Sequence, residues 1–256
     1  LEVIERLLYN DNVSKDVLRT QYGTDKLDSI LRYFSLDFLT EPEINAYDNT
    51  VFIIDDETYI SFSSEMRNAL FNLNFKDEVL DVIEYGRLHS SEKYDNPDQL
   101  GMVVFEQYTR KDMCWLFNWH KNEYSTIYGY KVDHKSKTIP LFVTYNKSDE
   151  IEESIQYTDY FVDNTTFNWM SRNKRTIESE EIQSIINSKE TGYKITLFVK
   201  RSDGENKFFY YMGEVEVSDY NETTINSKGK DLSIVNFTLR LKNPVRDDLY
   251  YYLIED

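Results

Sequence analysis

Cysteine occurs once in the 256 residues, at Cys114, which excludes an internal disulfide and any cysteine-based zinc site. Such usage is what a reducing, cytoplasmic compartment predicts. Histidine occurs three times, at His89, His120 and His134, with no metal-ligand spacing among them. Eight glycines and four prolines are too few for long flexible linkers. Cations are also short: 29 Lys+Arg face 46 Asp+Glu, for a formal charge of −17. Broad non-specific attachment to nucleic acid is therefore not expected, since phosphates are neutralised by cations. No apolar run approaches the roughly 20 residues that span a bilayer, so no membrane partner is expected. Phosphate loops, nucleophile elbows and the glycine pattern of dinucleotide-binding folds are missing too. A chain that opens on Leu1, without a signal peptide, is expected to be part of a longer polypeptide.

What the chain does hold is aromatic surface. Phe, Trp and Tyr make up 15% of it, with 21 Tyr, and tyrosine suits a binding face as well as a core. Charge is uneven. Residues 1–100 hold 9 Lys+Arg against 21 Asp+Glu, a net −12, and residues 101–256 hold 20 against 25, a net −5. The first part has helical periodicity. "LEVIERLLYN" carries apolar residues at 1, 3, 4, 7 and 8. Ser14 and Thr24 are candidate caps for "KDVLRTQY" and "DKLDSILRYF", and Gly23 a stop between them. "TVFIID" and "TYISFS" predict a hairpin, which completes the element order of a winged helix. Two more helices are predicted over Ser64–Leu73 and Lys76–Leu88.

Beyond about residue 100 the period changes to two. "GMVVFEQYT", "TIYGYKVD", "TIPLFVTYN", "YKITLFVKRSD", "KFFYYMGEVEVSDY" and "LSIVNFTLRL" predict strands. Only "SEEIQSIINSK" among them has clear helical spacing, with Ser179 as its cap. The class is thus α+β: an acidic helical segment over 1–80, then a partly closed β-barrel over 81–256. The polar stretch 89–99 is the expected protease-sensitive region.

Three segments set polar or cationic residues beside large rings. They are Asn118-Trp119-His120, Tyr145-Asn146-Lys147 and Trp169-Met170-Ser171-Arg172, the last within "FNWMSRNKRT". Trp115, Phe117, Phe142 and Phe167 are expected to fill the barrel core. The polar neighbours suit a different task, because an aromatic can stack on a base while an adjacent amide or hydroxyl reads its edge. Catalysis has little to rest on. Cys114 sits in the apolar run "MCWLF", and Asp203–Lys207 predicts a hairpin turn.

The segments "YTRKDMCWLFNW", "IYGYK", "PLFVTYNK", "FNWMSRNKRT", "LFVKRSDGENKFFYYMG" and "NPVRDDLYYYL" resemble, in order, the C-terminal target-recognition domain of type IV, modification-dependent restriction enzymes. These bacterial proteins carry a phospholipase-D-type nuclease and a helicase motor ahead of that domain. The resemblance covers about residues 80–256. It implies an SRA- or PUA-like barrel that takes a flipped, modified cytosine from double-stranded DNA. It implies no catalysis and no cofactor in this chain, with ATP and Mg²⁺ serving other domains of the same polypeptide, and the nuclease and helicase domains as partners. A pocket for cytosine needs two stacking faces, an acceptor, a donor and an apolar wall. On that implied role the stacking candidates are Trp119, Tyr145 and Trp169, and the edge readers Asn118, Asn146 and Ser171. Arg110, Lys147, Arg172, Lys174 and Arg175 are then candidates for phosphate contacts. The competing expectation is a module that docks onto a helicase-nuclease without reading bases, which the acidity of residues 1–100 favours.

Overall fold

The computed structural model describes all residues except 147–158, 203, 205, 228 and 256. They form two units, Leu1–Asp95 and Asn96–Asp256. The boundary falls beyond position 80 because one long helix stays with the first unit.

That first unit runs α1 (Glu2–Tyr9), β1 (Val13–Ser14), α2 (Lys15–Tyr22), α3 (Thr24–Phe34), α4 (Glu41–Ala46), β2 (Ile53–Asp55), β3 (Tyr59–Phe62), α5 (Ser64–Ala69) and α6 (Leu73–Lys93). Its three strands pair antiparallel in the order β1-β3-β2. Helix, strand, two helices and a hairpin is the winged-helix order, with α4 added ahead of the hairpin. Val3, Leu7, Leu18, Leu27, Ile60 and Phe62 form the core. Gly23, at φ +81, lets the chain reverse between α2 and α3 and itself takes the N-cap place expected for Thr24. Helix α6 extends through 89–93, part of the stretch expected to be irregular.

The second unit is a mixed sheet with helices at its margins. It runs β4 (Gln107–Tyr108), α7 (Arg110–Leu116), β5 (Thr138–Asn146), β6 (Tyr160–Asp163), β7 (Thr166–Met170), α8 (Glu180–Ile186), α9 (Ser188–Thr191), β8 (Lys194–Ser202), β9 (Phe209–Ser227), β10 (Lys230–Leu241) and α10 (Asp247–Ile254). The path is β5-β8-β9-β10-β7-β6, with β4 on β9. Only the β5–β8 pairing is parallel among these. Register shifts at Leu197/Phe198, Thr238/Leu239 and Phe161/Asp163 bend the strands and curl the sheet into a half-barrel. Gly213 sits at the first of these shifts with φ +87, and a Cβ there would lie 3.0 Å from the Asn243 amide nitrogen. The inner face is packed by Phe167, Leu197, Val199, Val235, Phe237 and Leu239.

Two predicted strands are not strands along their length. Of residues 101–109 only Gln107–Tyr108 pair, and 127–134 contribute isolated bridges such as Tyr130 to Leu141. A capping box in which the Thr109 hydroxyl and the Asp112 carboxylate satisfy each other's backbone N–H starts helix α7 instead. No helix among the described residues is long and apolar enough to cross a membrane.

Candidate nucleic-acid interface

Strand β7 and the loop after it place the central residues. Strand pairing with β10 sets Trp169 opposite Phe237, and the two rings lie 5.4 Å apart at 34°. The Tyr130 ring meets the indole in a T-shaped contact at 5.1 Å and 88°. Next along the chain, the Ser171 N–H donates to Val235 O and its hydroxyl accepts from Val235 N–H, both at 2.9 Å, which locks the start of the loop to β10. Arg172 then lays its guanidinium over the Tyr130 ring, 4.4 Å from the centroid.

These residues border a cavity of about 220 Å³, walled by Tyr128, Tyr130, Thr144, Asp159, Trp169 and Arg172 among others. That is below the 300 Å³ or so at which drug-sized sites begin, and it suits a single planar ring. Tyr128 is 70% exposed at this cavity, whereas Trp169 is 3% exposed on its inner wall. The Met170 N–H donates to Asp159 Oδ1 at 2.9 Å and so fixes a carboxylate at the wall.

Beyond Arg172 lies a second cavity of about 480 Å³, lined also by Lys131, His134, Arg175, Glu180 and Glu181. Glu181, near the start of α8, accepts from Tyr130 OH at 2.7 Å, from Arg172 Nη2 at 2.6 Å and from Arg175 Nε. Burial pushes the Glu181 carboxyl up, but the hydrogen bonds from Arg175 and Tyr130 and the two arginine charges outweigh it and hold it below the ordinary carboxylate range. Burial and the same carboxylate push the Tyr130 phenol up, so it stays protonated and donates.

The structure gathers some predicted site residues and scatters others. Trp169, Ser171 and Arg172 border the smaller cavity, and Arg172 and Arg175 the larger one. Lys174 is exposed on the loop between the two arginines, at φ +62. Trp119 is a correction. It is 1% exposed, and its Nε1 donates to the buried Thr138 hydroxyl at 2.9 Å, which leaves no face for a base. Asn118, at φ +58, follows α7, and its backbone N–H donates to Trp115 O at 3.0 Å at that helix's C-terminus. Ser171 is fully buried with its hydroxyl held by backbone, so it shapes the cavity without reading an edge. Tyr145 is partly buried and stacks on Phe161 at 6.1 Å, against the core. Arg110 lies over Phe142 and Phe209, at 5.2 and 5.1 Å, behind the cavity wall. Lys147 and the Asn146 side chain lie outside the described residues.

Residues 102–253 match the family described as a domain of unknown function, DUF3427. The chain belongs to the DUF3427 family. Residues 1–96 match a second domain of unknown function, DUF8090. No curated protein matches the chain in sequence. Similar solved structures include Arabidopsis thaliana SUVH6 in complex with SAM, at 11% identity and TM-score 0.39, over 61% of this chain and 29% of that one. The chain thus spans under a third of SUVH6. The SUVH5 SRA domain in complex with methylated CHH DNA is similar at 14% identity and TM-score 0.36, covering 56% of this chain and 91% of its own. The sulfur-binding and SRA domains of ScoMcrA, complexed with phosphorothioated DNA, align at 9% identity and TM-score 0.36 over 99% and 87%.

Two residues at the DUF3427 cavities, Asp159 and Glu181, escaped the sequence reading, and two more, Tyr128 and Tyr130, fell within its candidate binding stretch 128–147 without being singled out. Tyr128 and Tyr130 lie in "IYGYK", where alternation predicted a strand, and the two residues instead flank Gly129 at φ +78. Asp159 and Glu181 were hidden among 46 carboxylates, and nothing in the sequence distinguishes them.

Proposed function

We propose that this chain recognises modified cytosine in double-stranded DNA by accepting the flipped base into the 220 Å³ cavity. The observation that carries this reading is the set of groups at that cavity: an exposed tyrosine ring, a fixed carboxylate and an arginine around a space for one ring. Tyr128 offers the base a stacking face at the rim, with Trp169 as inner wall. The Asp159 carboxylate suits the N4 donor of cytosine, and Arg172 suits its acceptors. The Met170 side chain supplies apolar surface for a 5-methyl group. The ordered motifs that resemble type IV restriction enzymes point the same way. On this reading the chain is a specificity module without chemistry of its own, and cleavage, ATP and Mg²⁺ belong to nuclease and helicase domains of the same polypeptide.

The test is titration of matched duplexes carrying cytosine, 5-methylcytosine or 5-hydroxymethylcytosine at one position. Tighter binding of a modified duplex is expected, and Asp159→Ala should abolish the preference. Equal affinity of the parent chain for all three duplexes would remove the reading.

A second reading concerns the first unit. Phe71, Leu73, Val82, Tyr85 and Leu88 on and beside α6 are each more than half exposed. Such apolar surface on an acidic unit suits docking onto another domain of the polypeptide. Loss of co-purification between residues 1–95 and the preceding domains on Tyr85→Glu would support it, and retention would oppose it.

A further inference from the structure

The larger cavity has an unusual electrostatic construction. Three cations reach it, Lys131, Arg172 and Arg175, with His134 at its rim. One carboxylate, Glu181, holds both arginines at once, and each of the three side chains is about a quarter to a third exposed. A single negative charge therefore faces two half-buried positive ones. Arg172 Nε is buried and meets no hydrogen-bond acceptor among the described residues, so the guanidinium has donor capacity that Glu181 does not use. Lys131 is steadied from outside, by Glu123 at 2.6 Å and the Thr126 hydroxyl at 2.9 Å. Exposed Glu180 also borders the space.

Two guanidinium groups converging on one set of oxygens is the arrangement that binds phosphate as well as carboxylate. Arg172 is common to both cavities. An anion seated in the larger one would sit a single side chain away from a base in the smaller one, as a phosphate sits beside its own nucleotide. We propose that the 480 Å³ cavity is a site for a DNA phosphodiester, and that Glu181 occupies the place of that phosphate in the free protein. The proposal rests on the base-reading function above. On binding, the phosphate takes donors from Arg172 and Arg175 in exchange with Glu181, and Lys131, which also lines the cavity, adds its charge. Glu181 thereby lowers affinity for any duplex and keeps the cavity from binding DNA indiscriminately.

The experiment is a salt titration of the 256-residue chain with a 5-methylcytosine duplex and its unmethylated twin. Glu181→Gln is expected to bind both duplexes severalfold more tightly, with a log–log salt slope steeper by up to about 0.9. Lys131→Gln is expected to weaken both equally and flatten the slope by about one. A folded Glu181→Gln that binds no tighter overturns the role of Glu181, and an unchanged slope for Lys131→Gln overturns the phosphate site. If Glu181→Gln does not fold, Lys131→Gln decides. Failure of the base-reading function looks different: the parent would not prefer the methylated duplex, yet both slope changes would persist.

Discussion

The rings of Tyr130 and Trp169 meet edge-to-face, with centroids 5.1 Å apart at 88°. Phe237 covers the indole from another side. Trp169 is thus an inner wall of the smaller cavity, held in place by the core. Trp169→Ala is expected to cost about 3–5 kcal/mol of stability, as for other buried large-to-Ala changes. A urea melt measures it. A variant that melts within about 0.5 kcal/mol of the parent, the range of surface changes, would show the ring to be unpacked.

Periodicity carried most of the fold. The shift from helical spacing to alternation separates the helical first unit from the curled sheet, and the winged-helix order is readable from α1 to β3. Alternation failed at 101–109, where only Gln107–Tyr108 pair and the Thr109–Asp112 capping box opens helix α7. Adjacency of rings and polar groups was a poor guide to the site. Trp169-Met170-Ser171-Arg172 does border the smaller cavity, where its strand ends. Adjacency fails for Asn118-Trp119, where a helix end turns the indole inward to Thr138. Which way a ring faces depends on tertiary packing, and sequence neighbours do not report that.

Cys114 is fully buried in α7. Burial pushes its thiol up to about 12, so almost no thiolate exists near neutrality. The folded protein is expected to resist a thiol-reactive disulfide reagent and to react stoichiometrically in denaturant. Rapid labelling of the native chain would show that α7 opens readily.

Stability should respond to acid through Glu181. Its folded-state pKa lies below the ordinary 4.5, so its ion pairs contribute fully above that value and are lost as pH falls through the depressed one. Glu181→Gln is expected to melt below the parent at neutral pH. The gap should close as pH drops past 4.5, where the parent carboxyl protonates as well. A gap that stays constant through acid would mean that packing around Glu181, not its charge, holds Tyr130 and the two arginines.

Tyr128 gives the clearest separation of binding from folding. It is 70% exposed, so its removal takes little from the core, and Tyr128→Ala should stay within about 0.5 kcal/mol of the parent in stability. Stacking on a base contributes about 1–3 kcal/mol where it has been probed by alanine substitution. If the ring stacks on the flipped base, Tyr128→Ala loses that much affinity for the 5-methylcytosine duplex. It should lose far less for the unmodified duplex, since phosphate contacts do not need the ring. Tyr128→Phe should retain most of the preference, because stacking needs the ring and not the hydroxyl. Parallel titrations of the three proteins with both duplexes, beside a thermal melt of each, measure this. Equal losses on both duplexes would place Tyr128 on the DNA backbone, and no loss would remove it from the interface.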